Sequence, residues 1–253
     1  MYIIVFLLGI IIGSFLNVCI YRIPKDESIV YPSSHCTYCS SPLKWYDLIP
    51  IVSYLSLKGK CRYCGGKIAP QYPFVEILNG LLYILLFYHF SLTVDFIFYC
   101  LLASVIVVIS FIDLHEQIIP DGLVLIILSV AIIYKAINYF IYKENIEILN
   151  SILGFFTGGL IFLLIAIVSN GAMGGGDIKL MAVLGLILGL KKTLLNILLS
   201  FIIGAIISVF LLIGKKKGRK DAIPFGPFIN IAFIIALLYG DFIINWYVLK
   251  LLI

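Results

Sequence analysis

MYIIVFLLGIIIGSFLNVCI, residues 1–20, runs for twenty positions without one charged side chain. At 1.5 Å per residue such a stretch is about 30 Å long as an α-helix, the thickness of a bilayer's hydrocarbon core. It has neither a basic leading segment nor a small-residue cleavage site, so it is expected to stay as an anchor. Further apolar runs lie near 74–94, 96–112, 122–141, 148–169, 178–190, 193–214 and 223–250, which gives about eight expected transmembrane helices. Of the 253 residues, 62% are hydrophobic and 12% charged, against about 25% charged in a soluble domain. The expected class is an all-α polytopic membrane protein. Its net charge of +5 is read through topology and not as a nucleic-acid footprint.

With the N-terminus outside and every segment crossing, the inner loops hold 13 of the 18 Lys and Arg residues, among them Lys215, Lys216, Lys217, Arg219 and Lys220. The outer side keeps Lys135, Lys143, Lys191, Lys192 and Lys250. That asymmetry fits the positive-inside rule. Segment 178–190 is short for a span, about 20 Å, and needs shelter from neighbouring helices or snorkelling by Lys191 and Lys192.

Residues 22–73 break the membrane pattern. They contain seven basic residues, six of the nine prolines and four of the six cysteines. The expected organisation is a first helix over 1–21, a small cytoplasmic insert over 22–73 and a seven-helix membrane core over 74–253. Within the insert, Cys36 and Cys39 form one CxxC pair, and Cys61 and Cys64 a second, 21 residues on. Two such knuckles bring four thiolates around a tetrahedral Zn²⁺. Disulfides are disfavoured in a reducing compartment, and an insert this small needs a staple to fold. Four sulfurs close the tetrahedron, so the metal is structural and His35 is not required. Cys19 and Cys100 fall in helices as small apolar residues.

GIIIG (9–13), GFFTG (154–158) and GLILG (185–189) match the small-xxx-small pattern that allows close helix approach in membranes. Two acidic residues fall on the same membrane face. Asp113 ends the third segment in FIDLHEQIIPD, and Asp177 begins the sixth in GGGDIKL. Paired carboxylates hydrolyse peptides without a metal, one taking a proton from water and the other donating one to the carbonyl oxygen. The glycines before Asp177 are read as room for a substrate backbone. Asp177 also suits helix capping, and Asp121, after Pro120, suits it better. Capping does not account for Asp113, at a helix C-terminus. His115 and Glu116 are candidates to orient it.

These residues resemble a known family, the type IV prepilin peptidases or leader peptidase/N-methyltransferases, members of the GxGD intramembrane aspartyl proteases. The likeness runs through GSFLNVCIYRIP (13–24), both CxxC pairs, WYDLIPIVSYLSLKGKC (45–61), YPFVE (72–76), FIDLHEQIIPD (111–121), GGGDIKL (174–180) and PFGP (224–227). It implies that Asp113 and Asp177 are catalytic and that Gly174 and Gly176 are the GxGD glycines. It also implies cleavage of type IV prepilin or pseudopilin precursors after a glycine, at the cytoplasmic face of a prokaryotic inner membrane. Members with the cysteine insert methylate the new N-terminus with S-adenosylmethionine, and Gly59 and Glu76 match positions tied to that step. Asp26, Glu27, Asp47 and Glu116 are candidate counter-charges for a basic leader. The competing class is a transporter or assembly subunit whose aspartates handle protons or ions.

Overall fold

The computed structural model describes residues 1–143, 147–169, 171, 173–214 and 223–251. The basic run at 215–220 therefore lies outside the described residues. Seven described helices are long and apolar enough to cross a membrane. They are α1 (Tyr2–Arg22), α3 (Gln71–Phe90), α4 (Val94–Glu116), α5 (Asp121–Phe140), α6 (Ile148–Val168), α7 (Gly175–Ile213) and α8 (Gly226–Leu251). The short α2 (Val52–Ser56) belongs to the insert. The chain divides into two compact units, Met1–Val108 and Ile109–Ile253.

In the first unit α1 and α3 pack antiparallel along a ladder with a four-residue step. A Cβ on Gly9 would stand 2.7 Å from the Cα of Gly80, and one on Gly13 would stand 2.7 Å from that of Glu76. One turn on, the Asn17 amide donates to the Tyr72 carbonyl at 3.1 Å, and Asn79 reaches the Gly9 carbonyl at 2.7 Å. Lipid tails are as apolar as leucine, so helices associate through close backbone packing and such polar links. The first GxxxG stretch does this work.

In the second unit the expected sixth and seventh segments run together as the 39-residue α7. Gly189 interrupts it with φ 72° and ψ 174°, a conformation essentially restricted to glycine. There the chain doubles back. The Thr193 hydroxyl bonds the Gly189 carbonyl at 2.6 Å, and the Asn196 amide lies 3.6 Å from the Met181 sulfur. The two arms, 175–188 and 190–213, thus correspond to two of the eight apolar runs.

Shelter by neighbours explains how the short first arm is tolerated. Residues 180–185 are all buried, leaving no lipid-facing stripe on that stretch. Gly154 of α6 packs on Gly185, and a Cβ on Gly158 would meet the Met181 carbonyl at 2.7 Å. The Leu190 amide, freed by the break, donates to Asn150 Oδ1 at 2.8 Å. Lys192 is held by Asp241 of α8 at 2.7 Å.

Candidate active site and metal centre

Asp113 lies in the last turn of α4, where the exposed helix carbonyls disfavour an anion. The compensation comes from α8, whose Gly226 amide donates to Asp113 Oδ2 at 2.8 Å. Gly226 opens α8, so its N–H has no intrahelical acceptor and is free to point at the carboxylate. A Cβ on Gly226 would stand 2.7 Å from Oδ2, so a side chain there would force a shift.

Asp177 is the third residue of α7, and Gly174 is the N-cap. Its carboxylate reaches back to the Gly174 amide, the contact an acid makes at this position of a helix start. Capping thus accounts for one of its oxygens. The other, Oδ1, is buried with no hydrogen-bond partner among the described residues. A buried carboxylate oxygen left open is costly, so the arrangement suits a group that meets a further partner. Asp113 and Asp177 are 4% and 9% exposed, and they act on each other electrostatically.

Ile119 joins the two helix ends. A Cβ on Gly176 would lie 2.7 Å from the Ile119 Cβ, and one on Gly226 would lie 3.3 Å from its Cδ1. This changes the reading of the glycines. Gly176 makes room for Ile119, and Gly174 for the Asp177 carboxylate at 3.2 Å; a Cβ on Gly175 would meet nothing within 4 Å.

Asp121 does not turn to the pair. It is the first residue of α5, behind the N-cap Pro120, and both its oxygens accept from Lys179 at 2.8 Å. His115 and Glu116 are exposed in the last turn of α4. The contribution of Gly226 was not foreseen, although PFGP was among the stretches carrying the resemblance.

In the insert, the sulfurs of Cys36, Cys39, Cys61 and Cys64 lie within 4.8 Å of one another. They form no disulfide. A tetrahedral ion bound at about 2.3 Å sets its sulfurs about 3.8 Å apart, and Cys36 and Cys64 stand 3.9 Å apart. The two knuckles repeat each other. The Cys36 and Cys61 amides close onto the Ser41 and Gly66 carbonyls at 3.0 and 2.7 Å. Left-handed residues, Ser40 (φ 57°) and Gly65 (φ 71°), make the turns. Amides of Tyr38, Tyr63 and Gly66 each approach a cysteine sulfur at 3.4 Å. The Ser41 hydroxyl and amide lower the Cys39 thiol to about 6. At Cys64 the Gly66 amide favours the thiolate, yet Cys39, burial and the other two cysteines push the thiol up to about 12. Crowded thiols cannot all ionise cheaply without a cation. The donor set fits a metal ion.

Asp47 is committed to the insert. It accepts from Arg62 at 2.8 Å, Tyr63 at 3.1 Å and the Lys44 amide at 3.2 Å, so its charge is answered within the insert and it is a poor counter-charge for a leader. Glu76 is buried in α3 and accepts from the Ile51 amide at 2.7 Å and from the Ser14 hydroxyl. Gly59 lies beyond α2 against the Tyr54 ring. Glu76 and Gly59 thus bracket α2, and among the described residues no hydrogen bond links them.

The bacterial peptidase A24 N-terminal domain matches residues 7–90, and the type IV leader peptidase family matches residues 100–209. The chain is similar to the prepilin leader peptidase/N-methyltransferase of Legionella pneumophila, at 34% identity over 98% of this chain and 94% of that protein. It is similar to the protein of the same name from Bacillus subtilis, at 32% identity over 97% of each chain. A Pseudomonas aeruginosa protein of that name is 34% identical over 95% of this chain and 91% of its own length. No solved structure matches the chain. Near-full-length likeness to such proteins, on a multi-pass helical framework that gathers two buried aspartates, means that the chain belongs to the type IV leader peptidase family.

Proposed function

We propose that this protein is a membrane aspartyl endopeptidase that removes the basic leader of type IV prepilin-like precursors and then N-methylates the product. The observation that carries the peptidase part is the pair of buried carboxylates, Asp113 and Asp177, each contacting a glycine amide. One oxygen, Asp177 Oδ1, is left without a partner. An ionised carboxylate of the pair takes a proton from water as the water oxygen attacks the scissile carbonyl. The protonated partner gives its proton to the carbonyl oxygen, and the tetrahedral intermediate collapses with a proton passing to the leaving amine. The two acids titrate as a unit and share one proton. The Gly226 and Gly174 amides orient the carboxylates, and burial keeps bulk water from competing.

The site opens to the cytoplasm in this reading, at the interface where a basic leader meets an apolar helix. Residues 74–253 provide the peptidase, and the insert over 22–73 serves methylation. Cys36, Cys39, Cys61 and Cys64 hold a Zn²⁺ ion whose closed shell supplies folding energy and no open coordination position. Metal analysis should return about one zinc per chain. Methylation rests on the family likeness, with S-adenosylmethionine as the donor. Gly59 and Glu76 do not by themselves make a cradle for so large a cofactor, since the Glu76 carboxylate is engaged by Ile51 and Ser14.

The test is cleavage of a pilin-type precursor in detergent by the native chain, Asp113→Asn and Asp177→Asn. Asparagine caps a helix about as well as aspartate, so these changes remove the acid and spare the cap. Native cleavage with both folded variants inactive supports the dyad. Cleavage by either variant overturns it. Mass spectrometry of the native product, for one added methyl, decides the second activity.

A further inference from the structure

We propose that the stretch from Trp45 to Gly59, centred on α2, is a membrane-docked element. It seats Trp45, Val52 and Leu55 in the headgroup–acyl boundary of the bilayer that the chain spans. The first observation is exposure. Trp45, Val52 and Leu55 are 77%, 59% and 67% exposed. Val52 and Leu55 are three apart in α2 and so share a face. In the same stretch the Ile51 amide is bound to Glu76 of α3, and Ser53 and Tyr54 of α2 are less exposed than Val52 and Leu55. The element therefore turns its bonded side to the protein and its apolar side away from it.

The second observation is depth. Glu76 lies five residues into α3, about 7 Å along its axis from Gln71. The 20 residues of α3 make about 30 Å of helix, no more than the hydrocarbon core needs. The level of Glu76 is therefore at or inside the membrane edge, and the 2.7 Å bond from Ile51 fixes the start of α2 at that level. An aliphatic face held there meets lipid in preference to bulk water.

The third observation is the chemistry of the flanks. Lys44, Lys58 and Lys60 are exposed at the two ends of the stretch, and ammonium groups there complement anionic headgroups. Tryptophan with aliphatic neighbours and a lysine border is the composition that settles at an interface.

The chain has two tryptophans, Trp45 and Trp246, so Trp246→Phe leaves Trp45 as the reporter. The full-length variant is reconstituted into phosphatidylcholine/phosphatidylglycerol vesicles containing lipid spin-labelled near the glycerol backbone, and separately exposed to aqueous acrylamide. The expected result is at least twofold quenching by the shallow lipid label, with acrylamide quenching several-fold weaker than for the denatured chain. Full acrylamide quenching without lipid quenching would mean that the face looks into water and overturns the proposal. Protection from both quenchers would mean that protein covers it, and overturns it equally. Should Trp246→Phe fail to fold, the difference between the native chain and Trp45→Phe gives the same reading. Leu55→Asp should reduce the lipid quenching of Trp45 at least twofold.

Discussion

The Gly226 amide and the Asp113 carboxylate, 113 positions apart in sequence, are joined by a buried 2.8 Å hydrogen bond. The bond supplies a donor to a carboxylate at a helix C-terminus, where the local backbone offers carbonyls only. In Gly226→Ala the new Cβ would stand 2.7 Å from Oδ2, so the carboxylate or the start of α8 must move. A hydrogen bond to a charged group is worth about 1.5–3 kcal/mol, which converts to about 10- to 100-fold in rate. We expect kcat/KM on a pilin-type precursor to fall by that factor in a folded Gly226→Ala enzyme. Cleavage at the native rate would mean that the amide does not orient the acid.

Asp121 provides the contrast. Its two bonds to Lys179 belong to an exposed ion pair, with side chains 56% and 65% exposed. Such pairs contribute at most about 1 kcal/mol. Asp121→Asn should therefore cleave within about fivefold of the native rate, while Asp177→Asn is inactive. An Asp121→Asn enzyme as inactive as Asp113→Asn would place Asp121 in the reacting pair.

Gly189 carries the reversal of α7. Its φ of 72° with ψ of 174° costs a side-chain-bearing residue about 1–3 kcal/mol, and an added Cβ would stand 2.6 Å from Asn150 Nδ2. Asn150→Ala removes the acceptor of the Leu190 amide, a loss of about 1–3 kcal/mol. Gly189→Ala and Asn150→Ala should each melt below the native chain in detergent. The double variant should lose less than the sum, because deleting Asn150 relieves the clash at 189. Strict additivity would separate the two effects.

How much of this was legible follows from where each signal lives. The spans show in uninterrupted apolar runs, and the knuckles in two local CxxC pairs. The common end for Asp113 and Asp177 follows from counting crossings. The GxxxG stretches pack as their spacing implied, at Gly9, Gly13, Gly154, Gly158 and Gly185. The Gly226 contact left no side-chain signal, because the working atom is a backbone amide freed by a helix start. A reversal between the runs 178–190 and 193–214 was legible, but its placement on Gly189 was not, since a glycine inside GLILGLKK looks alike whether its φ is negative or positive. The role of Ile119 depends on two glycines from helices far apart in sequence, and no local pattern encodes that meeting.

Asp47 sets a pH test for the insert. Burial opposes its charge, but donors from Arg62, the Lys44 amide and Tyr63 outweigh burial and hold its carboxyl below the usual carboxylate range. Its folded pKa therefore lies below its unfolded value of about 3.9. The stabilisation is fully present above that unfolded value and is lost as pH falls through the lower, folded one. In zinc-replete buffer, Asp47→Asn should make the insert more susceptible to limited proteolysis. Its deficit relative to the native chain should stay constant from about pH 7 to pH 5. A deficit that shrinks across that window would point to a group other than Asp47.

Glu76 offers a test of charge against position in the proposed methylation step. Its carboxylate accepts from the Ile51 amide at 2.7 Å and from the Ser14 hydroxyl, tying α2 to the α1–α3 pair. A glutamine keeps an oxygen for Ile51, and the Ser14 hydroxyl can turn to accept from its amide. An alanine leaves the Ile51 amide without its acceptor, a loss of about 1–3 kcal/mol. If position is what matters, Glu76→Gln methylates the cleaved product at close to the native rate. Glu76→Ala then methylates about tenfold more slowly or worse, and both variants still cleave the leader. Mass spectrometry of the product reads the two steps together. A folded Glu76→Gln enzyme that cleaves normally but adds no methyl would mean that the carboxylate takes part in the chemistry.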